Sequence, residues 1–119
     1  MIKMSAVLVE NKLGDAAKVV DGALDLVLDA GAAKITEAAK RLAVDQNIID
    51  TGTLLANIDY GPAGKRGREV VSAVDYAAVP EFGLHGQAAR PYMMPAFDME
   101  APNILHAAEQ ITRDELRGL

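Results

Sequence analysis

The segment from Gly61 to Arg68, read as GPAGKRGR, is the part of the sequence closest to a phosphate-binding motif. A P-loop requires G-x-x-x-x-G-K followed by Ser or Thr, between a strand and a helix, because its backbone amides and its lysine surround the phosphates. Here Arg66 follows Lys65, and a Val-rich strand is predicted next. The pattern therefore favours the solvated tip of a hairpin. Its three positive charges, Lys65, Arg66 and Arg68, are predicted to reach a neighbouring acidic surface or nucleic acid.

The other residues capable of chemistry do not form a recognisable catalytic or metal site. The chain has no Cys, which excludes disulfides, thiolate metal ligands and a cysteine nucleophile. His85 and His106 lack neighbours at the spacing of a zinc site, which needs three or four converging ligands. Asp98 and Glu100 point to different faces of a predicted helix, so they make a poor acid–base pair. We predict no catalytic, cofactor-binding or metal-binding residue and no enzymatic activity.

Glu81 is the polar residue that most needs an explanation. It lies between Pro80 and Phe82, an apolar setting in which a carboxylate usually has a partner. Arg90 is the predicted partner, in an ion pair that serves the structure and not a reaction. An apolar cluster follows Arg90, and such clusters are more often core than interface. That cluster consists of Tyr92, Met93 and Met94.

The composition indicates a small acidic domain. The 119 residues suffice for one domain with a modest core, which depends on Ala, Val and Leu because the chain has no Trp. A net charge of −5 argues against a free-standing DNA-binding module, since such modules neutralise phosphates with cations. It does not argue against a protein that lets DNA pass. No apolar run is long enough to span a membrane, and the start of the chain lacks a full signal peptide, so we expect the protein to be made and kept in the cytoplasm.

A long helix is the dominant predicted element. Apolar residues recur at steps of three and four from Leu13 to Leu42, and the helix is expected to end near residues 45–47. Asn11 is a plausible N-cap. The alternative is two ordinary helices broken at Gly31. A helix this long exposes its apolar stripe beyond what one small sheet can cover, which indicates a partner subunit.

The strands are predicted from their composition and alternation. Residues 54–60 alternate loosely and residues 69–74 are rich in Val, so they are expected to form a β-hairpin joined by a mobile loop at 61–68. Within residues 1–10, the run at 6–9 is predicted to be an edge strand, with a flexible arm as the alternative.

The segment from residue 75 to residue 97, called the 75–97 segment below, separates these elements from a second helix. A single helical turn is predicted over 76–79, because Pro80 cannot donate the N–H that a continuing helix needs. Pro95 is tolerated in the first turn of the final helix. Pro102 either kinks that helix or marks its start.

Together these patterns predict an α+β fold in a single domain spanning residues 1–119. A long N-terminal helix and a C-terminal helix pack on a small antiparallel β-sheet that is built around the β-hairpin.

Three phrases in order resemble the HK97 gp10-like family of tailed-phage proteins. DTGTL at 50–54, with Ile58 four residues on, resembles D-T-G-x-L-x-x-S-I. YAAVPEFG at 76–83 resembles Y-A-x-x-V-E-F-G, and ARPYMMPAF at 89–97 resembles A-R-P-F-L-R-P-A-L. The resemblance extends over about residues 13–117. The chain departs from the phrases at Asn57, Pro80, Leu84 and Met94.

The resemblance implies a non-enzymatic virion protein of the head–tail junction, described in that family as a neck, tail-completion or tail-terminator component. Copies of it are expected to form a ring, six-fold or alternatively twelve-fold, through which DNA passes without specific binding. Its expected neighbours are the portal-side connector or stopper and the tail-terminator or tail-tube proteins. It is expected in the virion after assembly in the bacterial cytoplasm, with no membrane partner.

The residues expected to matter are contact residues. Those expected to fix the 75–97 segment or to contact a partner are Tyr76, Glu81, Phe82, Arg90, Pro91, Tyr92 and Met93. The alternative function is a nucleic-acid-binding phage accessory protein that uses the basic loop at 65–68. A third, a small enzyme or an inhibitor of host defence, has no supporting group of residues.

Overall fold

Two long helices and a three-stranded sheet form the structure, a computed structural model that describes residues 2–6, 17–48, 52–64 and 67–117. In chain order the elements are β1 (Ile2–Ala6), α1 (Ala17–Asp45), α2 (Thr53–Ala56), β2 (Ile58–Pro62), β3 (Arg68–Ser72), α3 (Ala78–Phe82) and α4 (Met93–Arg117). The predicted α+β fold, with its long N-terminal helix, C-terminal helix and small antiparallel sheet, is confirmed.

Helix α1 is continuous through Gly31, so the alternative of two helices is wrong. The glycine is accommodated because α4 approaches it closely: a Cβ atom at position 31 would lie 2.5 Å from Ile104 Cγ1. The helix ends at Asp45, as predicted, whereas the proposed N-cap Asn11 lies outside the described residues.

From Leu24 onwards, the apolar stripe of α1 is covered within the chain by the sheet and by α4, which packs along it. From Leu24 onwards the stripe therefore needs no partner subunit to cover it, because the C-terminal helix does so, and a partner subunit stays a prediction. The main core includes Leu28, Ile35, Ala38, Ala39, Leu54, Ile58, Val70, Tyr92, Met93 and Ala96.

The two long helices extend beyond the sheet. About 44 Å is expected for the 29 residues of α1, and the chain measures 56 × 22 × 21 Å. Its radius of gyration, 16.2 Å, exceeds the value of about 13.5 Å expected for a compact domain of this length. Past the sheet, Leu24 and Ala108 form a smaller cluster between the helices, with Val27 packed against it.

The sheet has the order β1-β3-β2, and both pairings are antiparallel. The predicted strand at 54–60 is wrong in its first part. Gly52, in the left-handed region with φ 77°, opens a short helix there, and Asn57 ends it by donating from Nδ2 to the Thr53 carbonyl at 2.8 Å. The predicted first strand lies earlier than expected, and of the run 6–9 the structure describes only Ala6.

The hairpin loop is shorter than predicted. Strand pairing continues to the pair Pro62 and Arg68, and the Ala63 amide donates to the Gly67 carbonyl at 3.0 Å. At the free edge of β2, the Tyr60 amide donates to the Asp59 carboxylate at 2.8 Å. Lys65 and Arg66 lie outside the described residues.

Arg68 begins strand β3 and does not project from the loop, so that prediction is wrong. Its guanidinium forms ion pairs with Asp29, through Nε, and with Asp25, through Nη2 at 3.2 Å, both on α1. The hydrogen bond that Arg68 donates to Asp29 is the main reason why the pKa of Arg68 is raised. The side chain of Arg68 is 13% exposed, so this cation joins the sheet to the helix.

Pro95 lies in the first turn of α4, as predicted, whereas the helical turn around Pro80 is placed differently from the prediction. Pro80 is the third residue of α3, within the first turn, where the missing N–H has no intrahelical acceptor to lose. The predicted turn at 76–79 is therefore displaced towards Phe82, and Gly83 ends it in the left-handed region with φ 68°. Helix α4 begins at Met93 and is continuous across Pro102.

Candidate interaction surface

Glu81 holds the start of α4. Its side chain is buried, at 4% exposure. Oε1 accepts the amides of Tyr92 at 3.0 Å and Met93 at 2.8 Å, and Oε2 accepts the amide of Met94 at 3.0 Å. The first amides of a helix have no intrahelical acceptor, and the helix dipole favours a negative charge there. The carboxylate of α3 is thus satisfied by the backbone, and the predicted ion pair with Arg90 is wrong.

Arg90 instead joins the segment to the end of α1. Its Nη1 lies 3.4 Å from the carbonyl oxygens of both Gln46 and Asn47, where a cation also complements the helix dipole. Its backbone amide donates to the Pro80 carbonyl at 2.7 Å. In return, Gln46 Nε2 donates to the Pro91 carbonyl at 2.5 Å. These contacts fix the segment between α1 and α4.

Tyr92 joins the segment to the sheet. It is fully buried, and its hydroxyl donates to the Ala77 carbonyl at 3.2 Å. The Ser72 hydroxyl lies 2.8 Å from the Tyr92 oxygen and therefore acts as the donor to it. Burial raises the pKa of the Tyr92 phenol, the Ser72 hydrogen bond lowers it, and the charge of Glu81 raises it further. The tyrosine stays neutral and serves as a structural cross-link.

The same segment also presents apolar side chains to solvent. Four large ones are exposed between 43% and 61%, and we call them the apolar patch: Tyr76, Phe82, Leu84 and Met94. Beside them an open cleft of about 330 Å³ is lined by residues that include Tyr76, Val79 and His85. Apolar side chains exposed on a segment that is itself firmly anchored are suited to contact another protein.

The predicted site residues therefore fall into separate groups. Glu81, Arg90, Pro91, Tyr92 and Met93 come together and anchor the segment. The expectation that Phe82 is an anchor is wrong, because its side chain is 61% exposed. Tyr76 is also exposed. Arg68 lies in the sheet and binds α1, away from these residues.

Two anchoring residues were missed in the sequence. Gln46 follows the long helix in a polar run that carries no signal of a long-range contact. Ser72 did carry a signal: it is a polar residue at an inward position of a Val-rich strand, and such a residue needs a buried partner.

The described residues offer little for chemistry. His85 and His106 are both exposed, the first on a loop and the second on a helix surface, as predicted. In the described part of the chain, no group of three His, Cys, Asp or Glu residues could hold a metal ion. A search of the same residues finds no helix with the length and apolar character to cross a membrane.

Comparisons with known proteins give no match: no family model, no curated protein and no solved structure is similar to this chain.

Proposed function

We propose that this chain is a structural virion protein of a tailed phage, located at the head–tail junction, where its copies form a ring through which DNA passes. The observation that carries the proposal is the convergence of the three phrases that resemble the HK97 gp10-like family. Glu81 in the second phrase accepts backbone amides of Tyr92 and Met93 in the third. Leu54 and Ile58 of the first phrase are in the same core as Tyr92. The resemblance thus concerns residues that depend on one another for their positions.

The apolar patch supports a role in assembly. A ring needs heterologous contacts, in which one surface of each copy meets a different surface of the next. Phe82, at 61% exposure, lies on a short helix that is held at Pro80 by the Arg90 amide and at Glu81 by the first amides of α4. Such a preorganised surface loses little freedom when a partner binds. We propose that the patch contacts a neighbouring copy, or the portal-side connector or tail proteins.

The charge of the chain supports the passage of DNA without binding. The net charge is −5, and acidic walls repel the phosphates of a transiting duplex. The alternative, a nucleic-acid-binding accessory protein, loses one of its three loop cations, because Arg68 is paired with Asp25 and Asp29. Fluorescence anisotropy with labelled DNA tests this alternative. Salt-sensitive binding that Lys65→Ala and Arg66→Ala together abolish would favour it.

The test of the proposed function is a stop codon early in the gene of a phage that carries it. We expect the mutant to produce DNA-filled heads and separate tails in lysates of a non-suppressing host, visible by negative-stain electron microscopy. A plasmid copy of the gene should restore joined, infectious particles, and mass spectrometry should detect the protein in them. Normal infectious particles from the mutant would refute the proposal.

A matched pair of plasmid variants tests the apolar patch in the same assay. Phe82→Asp places a charge in the patch, and Met99→Asp places one on a residue of similar exposure, 54%, outside it. We expect Phe82→Asp to fail in complementation and Met99→Asp to succeed, with both proteins showing the wild-type circular dichroism spectrum. Equal complementation by the two variants would exclude the patch as the contact.

A further inference from the structure

A groove runs between α1 and α4, apart from the apolar patch. Its volume is about 250 Å³ and it is open to solvent along its length. Leu26, Ala30 and Lys34 follow one another along α1 at steps of four residues, so they share one face of that helix. Glu100, Asn103 and Ala107 form the opposite wall on α4, at steps of three and four.

The two walls run in opposite directions. Gly31 faces Ile104, and Leu24 contacts Ala108, so residue numbers rise along α1 as they fall along α4. Lys34 and Glu100 therefore lie at one end of the groove. Leu26 and Ala107 lie at the other end.

Both ends contain side chains for which the described part of the chain provides no partner. Leu26 is 72% exposed, more than any other large hydrophobic residue that the structure describes. It stands beside small residues, Ala30 and Ala107, which allow another helix to approach closely. Within the described residues, neither Lys34 nor Glu100 forms an ion pair.

We propose that this groove binds the same groove of a second copy of the chain, about a two-fold axis parallel to the helices. In that arrangement α1 of each copy faces α4 of the other, and the four helices form a bundle. Lys34 of each copy then faces Glu100 of the other, and Leu26 faces Ala107. A two-fold axis perpendicular to the helices would instead place Lys34 and Glu100 of one copy over the apolar end of the other copy's groove. The two charged residues therefore favour the parallel axis.

This inference goes beyond the proposed function and does not depend on it. The groove shares no residue with the apolar patch, so a dimer formed through the groove leaves the patch free for other partners. The phage complementation assay reports on head–tail joining, and the experiments below report on self-association of the purified protein. Failure of one can thus be distinguished from failure of the other.

The first experiment is a charge swap followed by sedimentation equilibrium over a series of protein concentrations. Lys34→Glu and Glu100→Lys each place like charges opposite one another twice per dimer, and we expect each to weaken the dimer about tenfold. The double variant restores opposite charges and should return the dissociation constant to near the wild-type value. Glu109→Lys, an equal charge change on an exposed residue of α4 outside the groove, is the control and should have no effect.

The second experiment is disulfide trapping, which is simple here because the chain has no natural Cys. Leu26→Cys and Ala107→Cys are prepared as separate variants, mixed and oxidised, so that a 26–107 bond can form only between two copies. We expect a covalent dimer from the mixture, in greater yield than from a mixture of Leu26→Cys with Glu109→Cys.

Three results would overturn the proposal. The first is a wild-type protein that stays monomeric at every concentration. The second is a double variant that associates no better than the single ones, which would mean that Lys34 and Glu100 do not face each other. The third is a ring or larger assembly whose mass and stability none of the groove variants changes.

Discussion

Replacement of Glu81 is the sharpest test of how the 75–97 segment is held. The carboxylate accepts three backbone amides at the start of α4, and two of them belong to Tyr92 and Met93, which are fully buried. Glu81→Ala removes all three hydrogen bonds and leaves those two amides away from water. The amide of Met94, a half-exposed residue, can bond to solvent instead.

The expected loss follows from these burials. A buried donor left unpaired costs about 1–3 kcal/mol, so two of them cost about 2–6 kcal/mol. The variant no longer has to bury a charged group, which offsets part of this, and we expect a net loss of about 3 kcal/mol in the free energy of unfolding. Glu81→Gln retains one acceptor oxygen, and we expect it to lose about half as much. The free energy of unfolding of a typical domain is about 5–15 kcal/mol, so the alanine variant should be clearly destabilised but still folded enough for its unfolding to be measured.

The assay is urea unfolding followed by circular dichroism, at a protein concentration where light scattering shows the same mass for every variant. Glu109→Ala, an exposed residue on the same helix, is the control and should lie within about 0.5 kcal/mol of wild type. A loss below about 1 kcal/mol for Glu81→Ala would refute the argument that this carboxylate holds the helix.

Three further predictions concern other contacts, each measured by urea unfolding. Gly31→Ala should destabilise the protein by about 1–2 kcal/mol, because the new Cβ would overlap Ile104. Gly22→Ala, with open space at that position, should instead stabilise it by up to about 1 kcal/mol. The reverse order of stabilities would contradict the close approach of the two helices. Tyr92→Phe should cost about 1–3 kcal/mol, since it leaves a buried hydroxyl and a buried carbonyl without their partner, and the same change at the exposed Tyr60 should have almost no effect. Burial raises the pKa of Tyr92, so the unfolded chain loses the phenol proton at a lower pH than the folded chain does. The free energy of unfolding should therefore fall as the pH rises above about 10. If the difference in this free energy between wild type and Tyr92→Phe stays constant through this range, the raised pKa is contradicted.

The large elements of the fold could be predicted because their signals are long. The α1 stripe repeats over enough residues that one glycine does not disguise it, and the Val-rich β3 lies in a hairpin with polar flanks. The short elements could not be predicted in the same way. Leu54 and Ile58 are four residues apart, a spacing that fits a helical turn as well as an alternating strand. In the structure Leu54 lies in the short helix α2 and Ile58 begins strand β2.

The partner of Glu81 could not be predicted from residue types. A sequence displays charged side chains such as Arg90, and an ion pair was therefore the natural expectation. Every residue except proline carries a backbone amide, so the residue types in a sequence do not show which amides the carboxylate binds. The position of Glu81 in an apolar phrase did show that a partner was required, and the need for a partner is the part of the prediction that the structure confirms.

The hairpin edge limits how copies of this chain can join. The backbone groups of β2 that point away from β3 belong to Ile58, Tyr60 and Pro62, since the Asn57 carbonyl accepts the Ala73 amide and the Ala63 amide donates to the Gly67 carbonyl. The Tyr60 amide already donates to the Asp59 carboxylate, and Pro62 has no amide hydrogen. An added strand would therefore find a free amide hydrogen on this edge of β2 only at Ile58. A circular assembly closed by one continuous sheet is thereby disfavoured. In the assemblies proposed above, contacts between copies would then depend on side chains of helices and loops, which can change without altering any strand pairing.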